Sequence, residues 1–564
     1  MNERRGTDVL DDQQTEIREE SEVGNNGAVR FLLYTLSSPG LEAMIQRMIS
    51  LRRIAMITGL VCLLVLFGCS GNPRTLEVTS QKSDIPKITV VLNSLGIGFP
   101  GPFTVNDNPY LSDIEAKTGL RVEVIIPPSH RYEDRVGVMM MSNHTPDLIS
   151  IADANWVSFY ARKQMLTPLD QLIARYAPNL KERIPPEIWE QLSFNGQVYA
   201  LPTLNEGIGL EMLYIRKDWL DRFGLKSPST LAEMVDVMHA FSSLDADGDG
   251  IQDTYGTSFI EDLGRSSPWF GAFGVQLGQW MEKDGQLVYS NVQPEMKEAL
   301  AFLRTMVQEG LIDPLFPIQT QQGMERQVIE GKLGLFTGTW YDTRGVLEKS
   351  KALDPRAEWL PIPFPKGPRG SGTFALPPVR SYQVIPASST HAVEVLKLLN
   401  YIVGDGRDSL KLGFEGDVWS WKNGERVTDM KRHNQDHYRG LYANLADIPD
   451  EAYTRSRLNS LGQEYHLYDN LRFASLNAYP SSFRSLPTPA MTKYSSLLLN
   501  KNDMLIDIVL GIRPLDDFET YVSEWMDEGG REMTKEANDW YHLRRNQPGY
   551  EQQLQSVSGQ KSGG

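Results

Sequence analysis

Apolar positions along the chain fall into short runs whose spacing changes between two and about three and a half residues, which predicts alternating strands and helices. Residues 88–92 form a β-branched run followed by turn residues, residues 111–118 have helical spacing closed by Gly119, and residues 122–126 and 147–151 read as second and third strands. Strands separated by helices at this interval predict a parallel, doubly wound sheet. Further along, Thr230-Leu231-Ala232-Glu233 is a capping box, in which hydroxyl and carboxylate satisfy the free N–H groups of a helix start. Behind it Leu231, Val235, Met238 and Phe241 recur on one face. Phe518, Val522 and Trp525 mark a later amphipathic helix, which Gly529-Gly530 is expected to close. No repeat at a fixed period is visible.

One run breaks the pattern. Residues 54–67 are almost wholly apolar and follow Arg52-Arg53. The run is shorter than the roughly 20 residues a spanning helix needs, and a basic flank before an apolar core reads as an export signal. It ends at Leu66-Phe67-Gly68-Cys69 and turns polar at Ser70-Gly71-Asn72. This resembles a bacterial lipobox, so Cys69 is expected to carry a lipid after cleavage, although Phe67 is bulkier than the usual residue there. The chain has only two cysteines, Cys62 and Cys69, and Cys62 would leave with the signal. An exported protein with one thiol at its mature N-terminus suits lipidation better than disulfide pairing. Residues 1–47 then read as a non-native or disordered extension, 48–68 as the signal, 69–84 as a tether and 549–564 as a disordered tail.

With 564 residues and a formal charge of −16, the chain is long enough for two large domains and too acidic for a phosphate-backbone binder. The sharpest local motif, Asp245-Ala246-Asp247-Gly248-Asp249-Gly250-Ile251-Gln252-Asp253, places alternate carboxylates on one hard cation. Position twelve of the loop is Gly256 where an EF-hand has Glu, so the expected Ca²⁺ ligands are Asp245, Asp247, Asp249, the Ile251 carbonyl and Asp253, in a structural site. Residues 96–101 fit G-x-G-x-x-G, but Pro100 and Pro102 bracket the last glycine and no helix pattern opens there. His433 and His437 have i, i+4 spacing without the intervening Glu of a zinc motif. There is no nucleophile elbow, Walker loop or cysteine nucleophile among the motifs. What remains are tryptophans in loop-like settings: Trp156, Trp269, Trp340, Trp419 and Trp421. An indole stacks on the C–H face of a pyranose while polar neighbours hold its hydroxyls. Asp153-Ala154-Asn155-Trp156, Asn205-Glu206 and Trp340-Tyr341-Asp342 supply that mixture.

In chain order, Leu166-Thr167-Pro168-Leu169, Arg175-Tyr176-Ala177-Pro178-Asn179, Asn195-Gly196-Gln197-Val198-Tyr199-Ala200-Leu201-Pro202, Tyr214-Ile215-Arg216-Lys217-Asp218-Trp219-Leu220, Glu309-Gly310-Leu311-Ile312-Asp313-Pro314 and Phe336-Thr337-Gly338-Thr339-Trp340 resemble the extracellular solute-binding lipoproteins of carbohydrate ABC importers. The resemblance covers roughly residues 86–545. It is nearer to the larger oligosaccharide-binding members, including alginate binders, in which a calcium loop of this kind occurs. It implies an α/β, two-lobed periplasmic-binding-protein-like fold, each lobe a mostly parallel sheet flanked by helices and joined by a hinge. Lobe 1 would be 85–203 and 378–418, and lobe 2 would be 204–377 and 419–548. Crossings are expected near 201–206, 374–382 and 416–423. The resemblance implies a non-enzymatic, monomeric receptor that takes an oligosaccharide outside the cell membrane and passes it to ABC permease subunits, with no nucleic-acid partner. Ligand contacts are expected from Asp153, Asn155, Trp156, Asn205, Glu206, Trp269, Trp340, Tyr341, Asp342 and Trp419. The alternatives are a secreted polysaccharide-active enzyme and a sugar-binding subunit feeding a membrane sensor.

Overall fold

Eight strands build the two main sheets: β1 (Lys87–Val91), β2 (Arg121–Ile125), β3 (Leu148–Ile151), β4 (Leu201–Leu204), β5 (Glu211–Arg216), β6 (Leu335–Thr339), β7 (Trp359–Ile362) and β8 (Val379–Val384). The structure, a computed structural model, describes residues 85–142, 145–498 and 503–546. The expected extension, signal, lipidated Cys69, tether and tail lie outside these residues. Among the described residues no helix is long and apolar enough to cross a membrane.

The first sheet has the order β2-β1-β3-β8-β4. β1 pairs in parallel with β2 and β3, and β8 runs antiparallel to β3 and β4. Ile88, Val90 and Val91 of β1 are fully buried, as a strand covered on both faces requires. The helix Pro109–Thr118 that connects β1 to β2 starts where the Asn108 side chain accepts from the N–H groups of Tyr110 and Leu111. It ends at Gly119, whose φ of 70° suits a residue without Cβ. Tyr438, Leu441, Tyr442, Leu445 and Ile448 join this same core. Residues 416–423, where a third crossing was expected, include the first strand of the antiparallel hairpin of Trp419–Lys422 with Glu425–Thr428.

The second sheet corrects an expectation. Its order is β6-β5-β7 and both pairings are antiparallel, with Leu335 opposite Ile215 and Leu360 also opposite Ile215. β5 is buried at all six positions. A fully buried run looks the same in sequence whichever way its neighbours point, so periodicity carried no direction. The capping box at Thr230 and Glu233 is present with both hydrogen bonds, and Leu231, Met238 and Phe241 of the helix Leu231–Ser243 enter the second core. The helix Asp517–Trp525 passes through a π turn with Gly529 at φ 143° and resumes as Arg531–Arg545, so the glycines kink the segment rather than close it.

The chain passes between the sheets on two segments that lie side by side. Gly209 bridges Ala375 in antiparallel fashion, Leu376 N–H donates to Ile208 at 2.7 Å and Asn205 N–H donates to Pro378 at 3.0 Å. The helix Leu467–Leu476 presses on this pair so closely that a Cβ at Gly209 would sit 2.0 Å from the Ala474 backbone.

Candidate functional site

Glu206 stands on the first crossing segment, between β4 and β5. Arg457 Nη2 donates to both of its oxygens at 2.5 and 2.6 Å, and Lys411 Nζ donates to Oε1 at 2.8 Å while also holding Asp447 at 2.5 Å. Burial works against the charged carboxyl, but Arg457 and Lys411 outweigh it and hold Glu206 down to about 2. The carboxylate is therefore a fixed anion at any physiological pH.

Glu206 and Arg457 front a cavity of about 430 Å³ whose other walls include Trp340, Tyr341, Asp342, Arg344 and His433. Trp340 follows the end of β6, where its N–H donates to Leu210 at 3.0 Å and its carbonyl accepts from Asn470 Nδ2 at 3.2 Å. Its half-buried ring meets Tyr341 edge to face at 5.1 Å, and Tyr341 itself is 47 % exposed. Asp342 is buried and accepts from the Thr339 N–H at 2.6 Å, closing the turn after β6; burial raises its carboxyl above the usual range. Arg344 donates to Asn434 Oδ1 at 2.8 Å and forms no ion pair among the described residues. His433 is kept neutral, at about 3, first by burial and then by Arg439, whose Nη2 lies 2.7 Å from its Nδ1. An indole, a phenol, two guanidiniums and a neutral imidazole on one wall can hold a hydroxylated ring by stacking and by hydrogen bonds.

On a second cavity, of about 570 Å³, Glu206 is joined by Asn205, Tyr382, Phe483 and Trp540. Asn205 spends its amide on the Pro377 carbonyl at 2.8 Å, which ties the two crossing segments together.

The other expected contacts are dispersed. Asp153 caps the helix Ala154–Arg162 by accepting from the Asn155 N–H at 2.8 Å, and Trp156 is 9 % exposed with its ring 4.1 Å from that of Tyr160. Asn155 Oδ1 is buried without a partner. Trp269 is 1 % exposed, inside the second core beside Phe302, and so reaches neither cavity. Trp419 is interior too. Its Nε1–H donates to Gly413 at 2.8 Å and Arg426 lies over its ring. Both indoles fill space between apolar side chains, which local composition does not reveal. Conversely, Arg344, Lys411 and Arg457 belong to no motif and were not anticipated, and His433 was weighed only as half of a zinc pair.

The acidic loop converges. Ligand oxygens of Asp245, Asp247 and Asp249 lie within 4.8 Å of one another. Asp245 accepts from the N–H groups of Gly248 and Gly250, at φ 80° and 87°, and Asp249 accepts from that of Ile251. Lys332 Nζ sits 3.1, 3.3 and 2.7 Å from Asp247, Asp249 and Asp253, so the loop already cradles a cation. Burial opposes the charge on Lys332, yet its three carboxylate partners raise its pKa. The donor set fits a hard divalent ion.

Two α/β cores, joined by paired crossing segments with an aromatic and polar cavity beside them, define a hinged ligand-binding receptor. The chain belongs to the bacterial extracellular solute-binding protein family, whose profile matches residues 107–406. It is 26 % identical over 505 residues to lipoprotein LipO of Bacillus subtilis (strain 168), covering 85 % of this chain and 96 % of that one. Among solved structures it is similar to the alginate-binding protein AlgQ2 without calcium ion, with a TM-score of 0.65, 18 % identity and coverage of 82 % and 98 %. It is also similar to an EF-hand mutant of the ABC-transporter substrate-binding protein FusA of Streptococcus pneumoniae in complex with fructo-nystose. There the TM-score is 0.65, the identity 18 % and the coverage 81 % and 99 %. Both structures share the fold.

Proposed function

We propose that this chain is the substrate-binding lipoprotein of an ABC importer, which captures an oligosaccharide outside the membrane and delivers it to permease subunits. The observation that carries the reading is the cavity where Trp340, Arg344, His433 and Arg457 meet Glu206 of the crossing segment. A ligand held there touches the hinge, and contacts made only in the closed form shift the population toward closure. The named neighbours bind alginate and fructo-nystose, which supports a saccharide. The chain acts by binding, as a monomer, with no bond of the sugar broken. Lobe 1 takes in residues 85–203 and 378–418 together with the segment around Tyr438 to Ile448, and lobe 2 the second sheet. Cys69 carries the lipid anchor, in keeping with a relative named as a lipoprotein. The Asp245, Asp247, Asp249 and Asp253 carboxylates and the Ile251 carbonyl hold a structural Ca²⁺ that displaces Lys332 and stiffens the turn.

A panel of oligosaccharides screened by thermal shift against the exported chain tests the reading. One saccharide class is expected to raise the Tm, and Trp340→Ala is expected to weaken its binding by about 2 kcal/mol, roughly thirtyfold, while the variant still folds. Unaltered affinity removes Trp340 from the site, and turnover of the bound sugar overturns the receptor reading.

A further inference from the structure

The helix Leu467–Leu476 touches the Trp340 turn and the crossing segments at the same time. The half-buried Trp340 packs on two apolar clusters, one holding Leu467 and Leu471 and the other Ala474, so residues of this one helix belong to both surfaces the indole rests on. Asn470, buried on the same helix, fixes the turn that carries the ring. Its Nδ2 lies 3.2 Å from the Trp340 carbonyl, 3.2 Å from the Tyr465 carbonyl and 3.3 Å from Thr343 Oγ1. The two N–H bonds of one amide thus serve three acceptors on two separate stretches of chain. Thr343 Oγ1 in turn donates to the Tyr465 carbonyl at 2.8 Å, which closes the triangle.

One turn further along the helix, roughly 6 Å away, the contacts pass to the hinge. A Cβ added at Gly207 would lie 2.6 Å from Leu471 Cδ1 and 2.6 Å from Ser475 Oγ. The Gly209 N–H donates to Ser475 Oγ at 3.2 Å. The chain leaving the helix then reaches the second crossing segment. There the Thr373 N–H donates to the Asn477 carbonyl at 3.0 Å and the Ala375 N–H to that of Tyr479 at 3.1 Å. With glycine at 207 and 209 no side chain cushions the contact, so close packing passes a displacement of the helix to the crossing. The Trp340 turn and both crossing segments are therefore held by a single short helix and the strand that follows it.

We propose that Asn470 is a positioning residue of the binding site: it ties the turn bearing Trp340 to the helix seated on the crossing segments, and so couples a saccharide stacked on the indole to the hinge. The inference rests on the saccharide reading above and adds to it the residue that joins ring to hinge. Asn470 does not line the Trp340 cavity and acts only through the turn, so its removal costs less than removal of the ring itself.

Labelling the exported chain with fluorotryptophan gives each indole its own fluorine resonance, and the signal lost in Trp340→Phe is that of Trp340. Asn470→Ala is expected to move or split that signal in the sugar-free chain. Isothermal titration with fructo-, malto-, xylo-, manno- and galacturono-oligosaccharides then compares affinities in the series that the parent binds. Asn470→Ala is expected to weaken binding about tenfold, inside the roughly thirtyfold loss for Trp340→Ala, and to cost nothing further in the Trp340→Ala background. At saturating sugar, the compaction that X-ray scattering reads in the parent is expected to be smaller in Asn470→Ala. Thr343→Val removes one hydroxyl from the triangle and is expected to shift the same signal and weaken binding about two- to threefold, so it carries the test where Asn470→Ala does not fold. An unmoved Trp340 signal, unaltered affinity, compaction equal to the parent's, or a loss that adds in full to that of Trp340→Ala overturns the positioning role while the saccharide reading stands. Failure of every series to bind the parent chain removes the saccharide reading and this role with it.

Discussion

Replacing Glu206 by Gln removes the anion at the crossing and leaves Arg457 and Lys411 in their largely buried positions. A carboxyl held at about 2 instead of its ordinary 4.5 is stabilised in its charged form by about 3 kcal/mol. That agrees with the roughly 3–5 kcal/mol found when one partner of a buried ion pair is deleted. Because Lys411 and Arg380 share the carboxylate with Arg457, the pairwise coupling is smaller. A double-mutant cycle of Glu206→Gln with Arg457→Met is therefore expected to give about 1–2 kcal/mol of coupling. Urea unfolding followed by circular dichroism is the assay, since urea does not screen charge. The folded pKa lies below the unfolded one, so the stabilisation is complete above about 4.5 and is lost as the pH falls toward 2. The difference between parent and Glu206→Gln is accordingly full at neutral pH and about half as large near pH 3. Coupling below about 0.5 kcal/mol, or a difference that does not change with pH in that window, refutes the ion pair as the anchor of the crossing.

Chelation is expected to lower the Tm of the exported chain, and Lys332→Met to enlarge the calcium-dependent rise, because Lys332 Nζ occupies the same carboxylates. At calcium a hundredfold above Kd the stabilisation would be about 2.7 kcal/mol, and melting curves indifferent to both chelator and variant would exclude the metal. Cys69→Ser is expected to move the protein from the membrane fraction to the soluble fraction in cell fractionation. Retention of the variant in membranes would point to an uncleaved anchor in residues 54–67.

What the chain disclosed in advance depended on how local the determining interaction is. The capping box at Thr230 and Glu233 is complete within four residues, and Gly119 stops its helix by its own backbone angle. Both were legible. So were β1, β2 and β3 to within a residue at either end, since β-branched runs between turns leave little choice. The direction of β6 and β7 against β5 was not legible, because it is set by connections of more than a hundred residues and leaves no mark on the burial pattern of the strand itself. Trp340 could be found because its motif sits at a strand end. Trp269 and Trp419 carried equally polar neighbours, yet their rings turn inward against Phe302 and under Arg426.

The same distinction explains why most of the cavity wall was missed. Arg457 reaches Glu206 across 251 positions of sequence and Lys411 across 205, and neither stands in a recognisable motif. Such residues become visible only when the fold brings them to one carboxylate. Their arrangement also changes the part Glu206 plays. Both of its oxygens accept from cations, so besides lining the cavity it fixes the position of Arg457. Arg457 Nε is buried without a partner, and Arg344, which lines the same cavity, forms no ion pair among the described residues. The Trp340 cavity therefore offers guanidinium donors beside the carboxylates of Glu206, Glu325 and Asp342. A sugar, whose hydroxyls both donate and accept, is the kind of molecule that meets both sets in one cavity.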